Sequence, residues 1–280
     1  MLSYLHAYHA GNFADVLKHL VLIHSLDYLL QKDKALCYID THAGSGLYPL
    51  NSPEAQKNCE FEQGIAKLWL RDNLPTSVSR YLECIKLVNP SGNLSKYPGS
   101  AVLAQQILRP KDRLFLFELH TTENKHLNNL LRADKRIKIA QNDGLKEALS
   151  LLPPIQHRGF VLIDPSYEIK TDYKTVVSTL TAMHKRFSQG LFALWYPVVD
   201  RSYNNDLEKR LKDSALSNVQ LFELGLENRL STQGMAASGM IVINPPWTLK
   251  AEMETTLPWL AQTLGPQGQG FFRIEQLINE

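Results

Sequence analysis

Three observations predict a doubly wound α/β fold with a mostly parallel sheet. Short apolar runs alternate with amphipathic stretches at helical spacing from residue 98 onward, the pattern of a sheet covered by helices on both faces. The first such run, Ala35-Leu36-Cys37-Tyr38-Ile39-Asp40, leads into Thr41-His42-Ala43-Gly44-Ser45-Gly46, a glycine turn of the kind that lets a ligand approach the backbone closely. Several of the runs end in an acidic residue, Asp40, Glu118 and Asp164 among them. Ligands of open α/β sheets bind at that end of the strands.

The elements follow in order. Asn12 followed by Asp15 predicts a helix start with Asn12 as N-cap. Val16, Leu17, Leu20, Val21, Ile23, Leu26, Leu29 and Leu30 then carry an amphipathic helix over 13–31. The first strand spans 35–40. Residues 49–97 break the alternation, with Pro49, Pro53, Pro75 and Pro90 around helical stretches at about 60–72 and 77–88. The interval from Asp40 to Glu118 is several times the roughly twenty residues usual between a first strand and its ribose-binding acid. The expectation is one domain formed by 1–48 and 98–280, with 49–97 inserted as a small helical subdomain. Helix 100–108, strand 113–117, helix 122–132, strand 136–140, helix 144–152 and strand 159–164 resume the pattern. Helix 171–187, strand 190–196 and helix 204–213 follow. Strands 219–226 and 237–244 close a seven-stranded sheet, their adjacency suggesting an antiparallel edge hairpin.

Composition excludes several classes. With 280 residues, 44% of them hydrophobic, the chain can bury a large core. A formal net charge of +2 announces no nucleic-acid partner by bulk charge. Cys37, Cys59 and Cys84 are widely spaced and form neither a zinc pattern nor a disulfide framework, so the expected setting is a reducing cytoplasm. There is no basic-then-apolar leader at the start and no apolar stretch of membrane-spanning length. His6, His9 and His19, with Asp15 between them, lack a zinc spacing, so no metal is expected.

The chemistry concentrates at Asp164-Pro165-Ser166-Tyr167, which ends the apolar run Gly159–Ile163. Asp-Pro also starts ordinary turns, but here a carboxylate, a rigid turn and an aromatic face arrive together at a strand's carboxyl end. An exocyclic amine is a poor nucleophile because its lone pair is delocalised into the ring. Asp164 and the main-chain carbonyl of Pro165 can accept its two N–H groups, and Tyr167 can stack on the base. The glycine loop at Gly44 lacks the third glycine of the dinucleotide fingerprint, which favours a phosphate-free nucleoside such as S-adenosylmethionine. Glu118 suits ribose hydroxyls, and Asp143-Gly144 suits an adenine amino group. Glycine loop, ribose acid, adenine acid and Asp-Pro-x-Tyr stand in the strand order of a class I (Rossmann-like) methyltransferase. A second tetrad, Asn244-Pro245-Pro246-Trp247, matches the amino-methyltransferase signature better as a pattern. Position favours Asp164, because the active strand must be the fourth, beside the first; a circularly permuted arrangement would make 244–247 catalytic instead. His19 and His42 lie near the glycine loop, where they can contact the cofactor or sit as satisfied neutral histidines. Lys18, on the first helix, can face a phosphate, and Tyr196, at the end of the fifth strand, can line a base pocket.

The stretch Tyr4-x-His6-x-x-His9-Ala10-Gly11-Asn12-x-Ala14-Asp15-Val16-x-Lys18-His19 resembles the opening of the RlmJ family of bacterial 23S ribosomal RNA adenine-N6 methyltransferases. The resemblance continues through Asp40-Thr41-His42-Ala43-Gly44, Tyr97-Pro98-Gly99-Ser100, Glu118, Asp143-Gly144, Asp164-Pro165-x-Tyr167 and Gly239-Met240 to Asn244-Pro245-Pro246-Trp247. It implies a class I methyltransferase domain with an inserted helical subdomain. It implies S-adenosylmethionine contacts at His19, His42, Ser100, Glu118, Asp143 and Gly144, Asp164 as the catalytic acceptor, and Tyr4 close to the substrate. Ser166 departs from the family's second proline, giving a less rigid loop with an extra N–H to satisfy.

The implied reaction is direct methyl transfer to an adenine flipped out of its stack, with 23S ribosomal RNA as partner, no obligate protein partner and a monomeric enzyme. Tyr4, His6 and Lys18 near the start, and Lys57, Lys67, Arg71, Arg80, Lys86 and Lys96 in the insert, are the candidates for RNA contacts. A DNA adenine-N6 methyltransferase presents the same chemistry to the same amine. A non-catalytic nucleic-acid-binding or DNA-utilisation protein on the same scaffold is the alternative outside enzymes, disfavoured by retention of the cofactor acids and Asp164.

Overall fold

The first strand has no face free for water: all four residues of Cys37–Asp40 are buried, as a strand packed by helices on both sides requires. In the computed structural model, which describes residues 4–227 and 234–280, it lies inside an eight-stranded sheet. The strands are Cys37–Asp40 (β1), Leu47–Pro49 (β2), Lys96–Pro98 (β3), Arg113–Phe117 (β4), Ile137–Ala140 (β5) and Gly159–Ile163 (β6), then Leu191–Val198 (β7), Val219–Gly225 (β8), Ala237–Ile243 (β9) and Phe271–Ile278 (β10). The large sheet has the order β5-β4-β1-β6-β7-β9-β8-β10, and β2 and β3 form a separate antiparallel pair. Strands β5, β4, β1, β6 and β7 are parallel. The chain reverses its direction of progress between β1 and β6, and a crevice opens at their carboxyl ends.

All seven anticipated strands are present in the sheet. The last two pair antiparallel as expected, but β9 runs between β7 and β8, and the edge belongs to an eighth strand, β10, antiparallel to β8. The strands expected from sequence end at 237–244, and β10 lies beyond them, after Pro245, Pro246, Pro258 and Pro266. Pro258 lies inside a helix.

The helices are Phe13–Leu30 (α1), Pro53–Asn58 (α2), Ile65–Trp69 (α3), Thr76–Leu87 (α4), Ser100–Ile107 (α5), Thr121–Leu131 (α6), Gly144–Ser150 (α7), Asp172–Arg186 (α8), Arg201–Lys212 (α9) and Leu249–Leu264 (α10). Asn12 caps α1, its side chain accepting from Ala14 N and Asp15 N at 3.0 Å. α1 is apolar nearly all round and buried from Phe13 to Ile23, because the sheet lies on one side and the helices of 53–87 on the other. It shares a continuous core with α4, α5 and α10, while α7, α8 and α9 pack the opposite face. The expected helix over 60–72 is two shorter pieces, a 3₁₀ turn Glu60–Gln63 and α3, joined at Gly64. A Cβ on Gly64 would sit 2.1 Å from Gly11 O. This glycine therefore lets the segment close onto the backbone just before α1, where Ile65 N donates to Gly11 O at 2.9 Å.

Tyr196 lies in the core rather than against a base pocket. It is fully buried, and its hydroxyl donates to Glu223 Oε1 at 2.7 Å. Arg201 Nη1 donates to the same oxygen at 2.6 Å. Its position in β7 sends the ring to the face opposite its neighbour Trp195. Tyr196→Phe should therefore destabilise the fold by about 1.5–3 kcal/mol, the scale of a buried hydrogen bond to a charged group, measured as a lowered urea midpoint.

Candidate active site

The crevice between β1 and β6 holds two adjoining cavities. The first, of about 430 Å³, is lined by His19, His42, Gly44, Ser100, Glu118, Asp143, Gly144, Asp164 and Pro165, among others. The second, of about 450 Å³, is lined by Ser166, Tyr167, Tyr173, Pro197 and Tyr203. Tyr4, His6, Lys18, Asp164, Ser166 and Trp195 border both. Asp164, directly after β6, therefore stands where the two spaces meet.

The first cavity is shaped by backbone approach. Gly44 has φ +59, and a Cβ there would meet the Tyr48 hydroxyl at 2.1 Å. Gly44 N and His120 N donate to the two carboxylate oxygens of Glu118, at 2.9 and 2.7 Å, so the strand-end acid is held by the glycine loop itself. Burial pushes the Glu118 carboxyl above its ordinary range. Asp143 caps α7, accepting from Leu145 N and Lys146 N. Gly144 presses on the loop after β1, where a Cβ would lie 2.0 Å from Thr41 O. Ser100 points its hydroxyl at Asp40 Oδ2 (2.7 Å), which also receives the Tyr38 hydroxyl (2.9 Å). Asp40 is wholly buried, and burial pushes its carboxyl up to about 6. It is a positioning group beneath the loop.

Two histidines at this cavity are kept neutral by burial, His19 pushed down to about 3 and His42 to about 4. His19 is 1% exposed. Its Nδ1 is 2.7 Å from the Tyr97 hydroxyl, which in turn meets the Tyr81 hydroxyl at 2.9 Å. Its Nε2 is buried with no partner among the described residues. A buried orphan nitrogen on the wall of a cavity costs stability unless something binds it.

An ion-pair relay ties the N-terminal arm to the strand end. Lys18 Nζ lies 2.6 Å from Asp164 Oδ2 and 2.8 Å from Asp15 Oδ1. Asp15 Oδ2 accepts from Gly11 N and contacts His6 Nε2, both at 2.9 Å. His6 Nδ1 meets the Tyr4 hydroxyl at 2.9 Å, and the Tyr4 ring stacks on His9 with 5.5 Å between centroids. The two carboxylates hold the Lys18 ammonium well above its ordinary range despite burial, while Lys18 and His6 hold Asp15 well below its own. Lys18 was expected to face a phosphate. Its side chain is only 5% exposed, so it orients Asp164 instead.

Tyr167 has φ +53, a left-handed backbone that costs a non-glycine residue roughly 1–2 kcal/mol. Its hydroxyl donates to Trp195 O at 2.9 Å, and its ring packs against Tyr173 at 4.4 Å. It borders the second cavity, apart from the first. The competing tetrad lies elsewhere. β9 runs antiparallel, so Asn244 emerges at the amino end of β7, its Nδ2 donating to Ser188 O and Gly190 O. Trp247 is 79% exposed. Sequence reasoning singled out neither Asp15 as a member of the site nor Trp195. Asp15 read as a helix-start acid and as a neighbour of His6, His9 and His19 in a set without zinc spacing, and Trp195 was overshadowed by its neighbour Tyr196. None of the six basic residues of 49–97 named above lines either cavity. Arg80 pairs with Asp27, Lys67 donates to Leu264 O, and Lys57 lies over the Tyr8 ring.

A family model described as "RsmJ: Ribosomal RNA large subunit methyltransferase D, RlmJ" matches residues 33–278. The chain belongs to the RlmJ family. It is 43% identical over its full length, and theirs, to proteins named ribosomal RNA large subunit methyltransferase J from Escherichia coli K12 and Haemophilus influenzae Rd. A crystal structure of protein LPL1258 from Legionella pneumophila is 39% identical, with a TM-score of 0.89 over 96% of this chain and 98% of that one. The full-length match to RlmJ proteins takes in the arm and the relay from Tyr4 to Asp164 together with the sheet.

The depressed His19 makes stability pH-dependent with a definite sign. Unfolded, the imidazole takes a proton near 6.5; folded, it resists until about 3. Its stabilising contribution is therefore complete above about 6.5 and is lost as pH falls toward 3, by at most about 1.4 kcal/mol per pH unit. His19→Gln should close part of its stability gap to the parent as pH drops from 7 to 4.5. Urea titrations at the two pH values measure this, and a gap that stayed constant would contradict a buried neutral His19.

Proposed function

We propose that this protein transfers a methyl group from S-adenosylmethionine to the exocyclic N6 amine of an adenine in 23S ribosomal RNA. The observation that carries this reading is Asp164, placed at the junction of two cavities beside the topological switch point, in a chain of the RlmJ family. The first cavity suits the cofactor. Glu118 offers acceptors to two ribose hydroxyls, Asp143 an acceptor to the adenine amine, and the orphan Nε2 of His19 a partner for the amino-acid end. Gly44 and Gly144 keep the walls free of side chains. S-adenosylmethionine, when bound, supplies an electrophilic methyl on its sulfonium.

The second cavity suits the target base. With Asp164 Oδ2 engaged by Lys18, Oδ1 is the oxygen left to accept an amine N–H, and Pro165 O accepts the other. Held so, the nitrogen can turn tetrahedral and aim its lone pair toward the first cavity. Alignment of the reacting atoms provides much of the acceleration, and the carboxylate stabilises positive charge growing on nitrogen. Tyr167 and Trp195 offer aromatic faces to the flipped base, and Tyr4 closes it from the arm. The relatives named as ribosomal RNA methyltransferases support RNA over DNA. The cofactor acids and Asp164 support an enzyme over a binding scaffold.

Residues 49–97 are proposed as an inserted helical subdomain on the domain formed by 1–48 and 98–280. The antiparallel pair β2–β3, where the chain leaves and returns, supports this, although the insert's Ile65, Leu68, Tyr81 and Ile85 share the core of α1. The enzyme is proposed to act as a cytoplasmic monomer, where ribosomes are assembled. Among the described residues no helix is long and apolar enough to cross a membrane.

Label transfer from S-adenosylmethionine to protein-free ribosomal RNA, duplex DNA and whole subunits, followed by nucleoside analysis, tests the reading. N6-methyladenosine from large-subunit RNA is expected, and a preference for DNA would overturn it. Asp164→Asn keeps an acceptor for Lys18 but presents an amide to the target amine. Turnover should fall at least ~100-fold, the scale of losing a preorganised transition-state group, while cofactor affinity stays near the parent's. Glu118→Ala should instead weaken cofactor binding by roughly 10–100-fold in calorimetric titration, as expected for losing charge-assisted hydrogen bonds.

A further inference from the structure

The second cavity continues outward. It shares Lys170, Tyr173 and Tyr203 with a third space of about 380 Å³, which adds Lys174 and Ser202 to its walls. These residues come from the loop after β6, the start of α8 and the start of α9. Their rings form a staircase leading away from Asp164. Trp195 and Tyr167 lie 6.1 Å apart, Tyr167 and Tyr173 4.4 Å, and Tyr173 and Tyr203 5.4 Å with their planes within 20°. Tyr203 is half-buried, and Lys170 Nζ lies over its ring, 5.4 Å from the centroid. Tyr173 stacks on Tyr203, and the exposed Lys170 reaches the same tyrosine and contacts its hydroxyl.

We propose that this outer groove binds the nucleotide next to the target adenine, its base stacked on Tyr203 and its phosphate met by Lys170. The inference rests on the methyl-transfer reading and assigns it a second subsite. An exposed cation–π contact is weak, whereas base–aromatic stacking is among the stronger contacts available to a single strand. A base entering the groove therefore displaces Lys170 from the ring at little cost, and the freed ammonium moves to the adjoining phosphate. The groove also answers a requirement of flipping. An adenine drawn into the second cavity leaves its neighbour without a stacking partner, and an aromatic ring can replace the lost surface. Asp206 borders the third space too, its carboxylate paired with Arg210 Nε at 2.7 Å, while Asp200 interacts with Lys170 and Glu168 borders the second cavity.

The test begins with the methylated adenine mapped on ribosomal RNA. Synthetic fragments then carry an abasic site at one or the other adjacent nucleotide. The parent enzyme should lose about tenfold in kcat/KM when one particular neighbour lacks its base, and little when the other does. Tyr203→Ala should show a similar loss on intact RNA and no further loss on that abasic fragment, with cofactor affinity unchanged. Tyr203→Phe, which keeps the ring, should behave as the parent. Lys170→Gln should reduce the slope of log KM against log salt by about 0.7, one phosphate contact on a single strand. Parent activity indifferent to both abasic fragments would overturn the proposal, as would Tyr203→Phe as impaired as Tyr203→Ala. These fragment measurements decide the matter even if Tyr203→Ala fails to fold. A parent enzyme that methylates no ribosomal RNA would sink the methyl-transfer reading itself, an outcome distinct from either.

Discussion

The site depends on one buried ammonium. Lys18 lies in the buried part of α1, where its charge would be prohibitively costly without partners; an uncompensated buried ion costs several kcal/mol even after relaxation. Asp15 and Asp164 supply those partners at 2.8 and 2.6 Å. One comes from the first turn of the same helix and the other from the end of a strand 146 residues away in sequence. The pair fixes where Asp164 points and couples it to the N-terminal arm through His6 and Tyr4. The arm, the helix and the end of β6 thus form one electrostatic unit, and a change in any of them bears on the others.

Around that unit the protein uses backbone closeness instead of side-chain bulk. Gly44 and Gly144 bring main chain against main chain or against a tyrosine hydroxyl, so the first cavity is walled by loops that a methyl group would push apart. The acidic side chains are then tied to those loops, Glu118 to Gly44 N and His120 N, and Asp40 to Ser100, Tyr38 and His42 N. Such ties hold acceptors in place before any ligand arrives, which is how a small set of polar groups gains orientation without large entropy losses on binding. His19 and His42 stay neutral because burial penalises their protonated forms. The first cavity therefore carries the side chains of Glu118 and Asp143 without added positive charge from those two histidines, an arrangement that suits a cationic sulfonium.

Legibility from sequence followed the range of the interactions. Alternation and caps are local, so Asn12 as the cap of α1, the glycine turn after β1 and the acids at the ends of β1, β4 and β6 were readable in place. The N-terminal motif carried the family. Elements that broke local rules were not readable. α10 carries Pro258 in its interior, and β10 follows a proline-rich stretch yet takes the sheet edge by pairing with β8. The helix expected over 60–72 divides at Gly64 because that glycine must touch the backbone of Gly11, a contact invisible along the chain.

The sequence by itself determined the order of strands and loops, and with it which carboxylates stand at ligand-binding ends; hydrophobic period and turn chemistry are written residue by residue. Only the tertiary structure decided which of two plausible tetrads faces the crevice, because strand direction is a property of pairing: β9 runs antiparallel and carries Asn244 to the far end of the sheet. It alone moved Lys18 from an expected phosphate contact into a buried ion pair, and Tyr196 into the core while Trp195 reached the cavity. Charge and aromaticity are visible in a sequence, but burial and side-chain direction arise when distant segments pack, and those are what turn a list of suitable residues into a site.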